Sequence, residues 1–195
     1  ALRMGIEADI LPMSDDPVAT IVHTDAGDLA FQHYFVREQC GPRVAGFSFD
    51  GTENAEPQPQ ILDALQSDPE SIIIAPSNPY VSVDPILQLK GMKMALKNAG
   101  APIVAVSPII GGKAIKGPAA KMMQELGKDV SVLSIAAHYQ DLIDGLVIDV
   151  QDAELAPQIR EMGIKTLVTQ SVMTDLNGRI ELAQATLDFA RECGS

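Results

Sequence analysis

The residues best suited to chemistry lie between Ser107 and Met123, in the stretch SPIIGGKAIKGPAAKMM. Gly111 and Gly112 free the backbone, Lys113, Lys116 and Lys121 add positive charge, and Pro118 suits the first position of a helix. The unpaired N–H groups and positive dipole end of such a helix attract anions, so the segment reads as a phosphate-handling loop with Lys116 as its leading cation and Lys121 one turn inside the helix. It is not a Walker A loop. Gly112 and Gly117 have that motif's interval, but Pro118 stands where Lys is required and no Ser or Thr follows. The plain alternative is a tight turn that needs glycine, carrying lysines that are only solvated.

A second polar loop, Ser77-Asn78-Pro79, follows the apolar run 71–75, with Ser82 and Asp84 close behind. Short polar side chains beside exposed amides suit a phosphate or a ribose, whereas the competing reading is an Asx turn stiffened by Pro76, Pro79 and Pro85. Asp15 and Asp16 are adjacent acids that could share a Mg²⁺ with substrate phosphates, although a turn or cap accounts for them as well because neighbouring strand side chains diverge. His23, His33 and His138 form no recognisable catalytic arrangement, and Met92, Met94, Met122 and Met123 suit packing. No side-chain nucleophile is indicated.

The elements that must position these loops follow from hydrophobic spacing. Residues 8–13, 19–24, 29–36 and 44–49 read as strands of an antiparallel subregion, with Asp25-Ala26-Gly27-Asp28 as a hairpin turn. Residues 60–66 have helical spacing. From residue 71 onward the runs 71–75, 103–106, 146–148 and 166–168 alternate with helical segments 91–98, 118–126, 131–143, 153–162 and 179–192, a grammar that implies parallel strands joined by crossovers. Pro157 argues for a later start of the helix drawn from 153. The expected fold is therefore α/β, a Rossmann-like three-layer arrangement with a mostly parallel sheet and an antiparallel hairpin region near the N-terminus. Residues 1–195 form a single domain, in which 7–49 is the antiparallel part and 71–195 the parallel core. Ligands of such sheets bind outside the carboxyl ends of the strands, which singles out the loops 76–84, 107–117, 149–152 and 169–175.

Composition sets the outer limits. At 195 residues and 46% hydrophobic content the chain can bury one sizeable core. Its net charge of −12 argues against nonspecific nucleic-acid or anionic-membrane binding. Cys40 and Cys193 stand far apart with no metal-ligand spacing, pointing to a reduced, cytoplasmic setting, and no apolar run reaches the roughly 20 residues of a membrane helix. Residues 1–5 read as the last turn of a helix ending at Gly5, which suggests that the chain begins inside a larger protein.

Four phrases in order, LPMSDDPVATIVHT (11–24), IIIAPSNPYVSVDPIL (72–87), VAVSPIIGGKAIKGPAAKMM (104–123) and YQDLIDGLVID (139–149), resemble the 2-phospho-L-lactate transferase family of coenzyme F420 biosynthesis. The resemblance implies transfer of a 2-phospholactyl-type group from a guanosine-diphosphate-linked donor to the terminal hydroxyl of the deazaflavin FO, with Mg²⁺ and release of GMP. In some relatives the group is phosphoenolpyruvyl or phosphoglyceryl. It implies donor phosphate or guanosine contacts at Ser77, Asn78, Ser82, Ser107, Gly111, Gly112, Lys116, Gly117 and Lys121, while the metal candidates Asp15 and Asp16 rest on their adjacency alone. The family's glycine-rich first strand, and the Asp and basic residue that contact FO, have no counterpart here. The catalytic residues are thus expected upstream of Ala1, and the chain reads as a C-terminal portion that is inactive alone. A homodimer is expected from the apolar hairpin edge. The alternative is a nucleotide-sugar-binding regulator of the same superfold, whose strand-end loop reads more like GSLYTS than the PSNPYVS found here.

Overall fold

The computed structural model describes residues 8–115 and 117–194. Nine strands and seven α-helices are assigned among them, and the two central strands of the principal sheet are buried on both faces. That sheet comprises β4 (Ile72–Ile74), β5 (Ile103–Val106), β8 (Gly145–Asp149) and β9 (Lys165–Thr169), parallel throughout and ordered β4-β5-β8-β9. Ile103, Ala105, Leu146 and Ile148 point to one face, where they meet Met122, Met123, Ile135, Ala136 and Ile159. Val104, Val106 and Val147 point to the other, against Leu182, Phe189 and Ala190. Two apolar faces explain why β5 reads as an unbroken run rather than an alternating one.

The first face is covered by α4 (Ala119–Glu125), α5 (Val132–Tyr139) and α6 (Ala156–Glu161), the second by α7 (Leu176–Cys193). α7 lies close enough that a Cβ on Gly145 would stand 2.7 Å from the Phe189 ring and 2.9 Å from Cys193 Sγ, so any larger residue would force those side chains to move. The result is the three-layer α/β arrangement expected. Shorter helices α1 (Pro59–Gln66), α2 (Asp84–Leu87) and α3 (Met92–Asn98) complete the connections.

The antiparallel part is a sheet of β1 (Ala19–Thr24), β2 (Gly27–Ala30) and β3 (Val44–Asp50), in the order β2-β1-β3. Val22, Val44 and the fully buried Tyr34 carry it onto the first face of the parallel sheet's core. Two expectations fail here. Residues 8–13 form no strand; they find no pairing partner, and Ile10 is 72% exposed. The run 29–36 stops being a strand at Ala30 and turns into a π-helical turn, His33–Arg37, which swings Tyr34 into the core. The helix drawn from 153 begins as a 3-10 turn, Val150–Leu155, with α6 starting beside Pro157 as its first-turn residue. The helix drawn over 131–143 ends at Tyr139. The helical turn read at residues 1–5 lies outside the described residues.

The glycine pair does not simply open a loop. β6 (Ile109–Ile110) and β7 (Lys113–Ala114) form a small antiparallel hairpin whose two-residue turn is Gly111-Gly112, both at positive φ, 54° and 70°. Positive φ at both central residues is what this hairpin turn requires, and glycine meets it without a Cβ penalty.

Candidate functional site

Three loops that leave the carboxyl ends of β4, β5 and β9 enclose a cavity of about 310 Å³. Pro76 and Asn78 follow β4, Ser107, Pro108 and Ile110 follow β5, Ile115 and Ala119 lead into α4, and Ser171, Val172 and Met173 follow β9. Arg179, on the first turn of α7, closes one side. This is the position at which open parallel sheets take their ligands, because loop backbone and strand-end side chains converge there without disturbing the sheet.

Of the residues expected from the sequence, Asn78 and Ser107 line this cavity. Asn78 caps the π-helical turn Pro79–Val83: its Oδ1 accepts from the Tyr80 N–H at 3.0 Å, and its Nδ2 donates to Met122 Sδ at 3.2 Å. The Asx-turn reading and the cavity-lining reading are therefore both true of it. Ser107 is buried and its hydroxyl is closed on itself, donating to the Ile109 carbonyl at 2.9 Å and accepting from the Ile109 N–H at 3.1 Å. Gly111 is tied by its N–H to Asp152 Oδ2 at 2.9 Å, and Gly112 completes the hairpin turn. Gly117 adopts φ 73° just before α4. Ser77 donates its N–H to the Ala75 carbonyl at 2.6 Å, while Ser82 is exposed on the π-helical turn; neither is among the cavity's walls. Asp84 turns toward α5, where its carboxylate meets His138 Nε2 at 2.8 Å. Lys116 lies outside the described residues.

Lys121 faces elsewhere. Its ammonium donates to Glu125 at 2.8 Å, to the Pro42 carbonyl at 2.9 Å and to the Tyr34 hydroxyl at 3.3 Å, while Glu125 also accepts from the Val44 N–H. Burial disfavours its charged form, but the bonds to Glu125 and Tyr34 outweigh this and raise its pKa. Lys121 thus clamps the antiparallel layer to α4.

The residues that spacing alone did not reveal are Ser171 and Arg179. Ser171 is oriented by Asp149, which ends β8 fully buried. Asp149 Oδ2 accepts from the Ser171 N–H at 2.8 Å and its hydroxyl at 3.0 Å, and Oδ1 accepts from the Gln151 N–H and side-chain amide at 3.1 and 3.2 Å. Burial pushes this carboxyl up, but the four donors win and hold its pKa below the ordinary carboxylate value. The one signal that pointed toward Ser171 was the strand-end position of the 169–175 loop.

Metal ligation finds little support in this geometry. Asp15 Oδ2 accepts from the Gln58 side chain at 3.2 Å and Asp16 Oδ2 from the Glu56 N–H at 3.0 Å, so both serve the loop after β3. Among the described residues no group of three or more His, Cys, Asp or Glu could hold a metal ion, and no carboxylate lines the cavity. The described walls do not fit a resident Mg²⁺. No described helix is long and apolar enough to cross a membrane.

Comparison with known proteins places the chain in a family. A family model described as 2-phospho-L-lactate transferase CofD matches residues 1–184. The 2-phospho-L-lactate transferase of Methanosarcina barkeri is 39% identical over 180 residues, which cover 92% of this chain and 57% of the relative. That of Methanococcoides burtonii is 42% identical over 172 residues, 88% of this chain and 55% of the relative. A phosphoenolpyruvate transferase of Streptomyces griseus is 35% identical over 188 residues, 94% and 59% respectively. The chain spans a little over half the length of these relatives. A match that runs from residue 1 to 184, through every strand of the parallel sheet and all the loops that wall the cavity, shows that the chain belongs to the 2-phospho-L-lactate transferase family.

Proposed function

We propose that this chain carries the donor-binding part of a transferase that moves a 2-phospholactyl group from a guanosine-diphosphate-linked donor to the deazaflavin FO, releasing GMP. The observation that carries the reading is the cavity at the carboxyl ends of β4, β5 and β9, in a chain whose family is that of the transferases. Its walls mix apolar side chains, Ile110, Ile115, Val172 and Met173, with the polar groups of Asn78 and Ser171 and the cation Arg179. Such a surface suits a flat base or ring joined to an anion. Attack by a hydroxyl on a diphosphate needs alignment and charge neutralisation more than a covalent nucleophile, and these walls offer the first two without the third. A Mg²⁺ would add charge neutralisation on the diphosphate, but the described walls supply no carboxylate ligand for it. The Streptomyces griseus relative named for phosphoenolpyruvate makes that three-carbon acid the second candidate for the transferred group.

The test is nucleotide selectivity followed by turnover. Titrated into the chain, GDP gives saturable binding and a UDP-sugar does not. With FO and a guanosylated phospholactate or phosphoenolpyruvate supplied to the protein, GMP and a more anionic deazaflavin accumulate. Binding of the UDP-sugar without GDP would move the chain to the nucleotide-sugar-binding alternative.

A further inference from the structure

Arg179 sits where two hollows meet. It lines the polar cavity and also an adjoining apolar groove of about 300 Å³ walled by Ile73, Val106, Leu182 and Leu187, and the two hollows share Pro76 and Met173 as well. Its backbone is fixed on the first turn of an 18-residue helix: the Arg179 N–H donates to the Asp175 carbonyl, while the Asp175 side chain accepts from the Gly178 N–H at 2.8 Å. Three of the other described arginines are engaged through their side chains, and Arg43 lies in the antiparallel layer away from the cavity. Arg191 pairs with Glu70 and Asp188, Arg37 approaches Glu38, and Arg160 donates to the Thr166 carbonyl. Among the described residues no carboxylate lies within ion-pair distance of Arg179, in a chain of net charge −12.

The other polar walls define what such a cation would meet. Ser171 gives its proton to an ionised Asp149, so toward a ligand its hydroxyl oxygen can only accept. Asn78 has its oxygen taken by Tyr80 and keeps one amide hydrogen beyond that given to Met122. The cavity therefore presents a fork of donors at Arg179, one further donor at Asn78 and one acceptor at Ser171. A phosphate group joined to a moiety with its own hydroxyl or N–H donor matches all three, as a nucleoside diphosphate does.

Resting on the donor-site reading above, we infer that Arg179 is the residue that grips the donor's phosphate oxygens, while Ser171 accepts from its nucleoside. Arginine suits the task because its planar fork meets two phosphate oxygens at once. The experiment compares GDP with guanosine by titration calorimetry on the chain and on Arg179→Gln. Loss of a hydrogen-bonded charge contact weakens GDP about 10- to 100-fold and leaves guanosine within about twofold, with Arg179→Lys between the two. If the unchanged chain binds GDP and Arg179→Gln binds it equally well, the assignment of Arg179 falls while the donor site stands. If the unchanged chain binds neither GDP nor guanosine, the donor-site reading falls and the assignment with it. Phenylglyoxal labelling read by peptide mass spectrometry needs no variant: GDP must shield Arg179 and guanosine must not. Full labelling at saturating GDP overturns the inference.

Discussion

Asp149→Asn is the substitution that most directly tests how the cavity is held. In the folded chain four donors converge on the Asp149 carboxylate, two on each oxygen, in a fully buried position. An amide of the same shape keeps one oxygen and turns the other into a donor, so whichever way it faces, two donors lose their acceptor. The side that yields is that of Gln151, because this residue is exposed and its side chain can reach water. The Ser171 side, buried, retains the oxygen. The net loss is one backbone bond to a charged acceptor plus the electrostatic share of the others, about 2 kcal/mol with a range of 1–3. For a chain of this length that lowers the melting temperature by about 4–8 °C.

The pH dependence carries a sign. The folded pKa of Asp149 is depressed below the unfolded value of about 3.9, so its contribution is present above that pH and is lost as pH falls through the folded pKa. Urea titrations followed by far-ultraviolet circular dichroism should show a constant gap between the two proteins from pH 7 to about 5, narrowing below about 4. A gap under about 0.5 kcal/mol at pH 7 would refute the reasoning, since it would mean that the four bonds are worth no more than water.

Lys121→Ala should separate clamp from binding site. Its side chain is about one-third exposed, so the loss is that of a screened ion pair and a carbonyl contact, about 1 kcal/mol by urea unfolding. Its raised pKa places this contribution fully below about pH 10.4, fading as pH rises through the folded value. Hydrogen exchange should quicken over residues 33–44 while GDP affinity stays within about twofold; a tenfold loss would put Lys121 on the ligand. The three tyrosines give an alkaline test. Burial pushes Tyr80 up to about 12 and raises Tyr34 and Tyr139 as well. Groups raised above an unfolded value near 10 stabilise the fold fully below that pH and cease to do so as pH climbs through the folded values. Phenolate absorbance should therefore lag that of free tyrosine and rise together with unfolding; a plain titration at pH 10 in folded protein would contradict the burial.

The parallel sheet was legible because both its faces are apolar, so its strands appear as short β-branched runs whatever surrounds them. The run 29–36 misled for the opposite reason. Phe31, Tyr34, Phe35 and Val36 have strand propensity, but only Tyr34 is fully buried, with Phe31 packed beside the core, and a helical turn delivers Tyr34 while leaving Phe35 and Val36 outward. In the site, Ser107 could be found because it follows β5 directly, and Asn78 because it lies in the short loop after β4. Glu125, four residues after Lys121, was a visible partner, yet Tyr34 and Pro42 reach that lysine only through the fold. Arg179 stands ten residues beyond the end of β9, inside a helix whose first turn happens to overhang the cavity. No local pattern marks that.

The chemistry left to these walls follows from where their protons are. Ser107 gives its proton to the Ile109 carbonyl and takes the Ile109 N–H on one lone pair, so it has no proton to offer a reacting group. Ser171 shares its proton with Asp149, and a carboxylate held below its ordinary pKa is a weak base that leaves the serine hydroxyl intact. A lowered pKa is therefore a mark of rigidity at this site rather than of acid–base work: Asp149 anchors the loop after β9 to the end of β8, and that anchor sets the distance between the Ser171 acceptor and the Arg179 donors. If the distance is what matters, Asp149→Ala, which takes the acceptor away from Ser171 altogether, should weaken GDP and guanosine together, whereas Arg179→Gln affects GDP alone. The two substitutions thus separate a wall that orients the nucleoside from a cation that neutralises the phosphate.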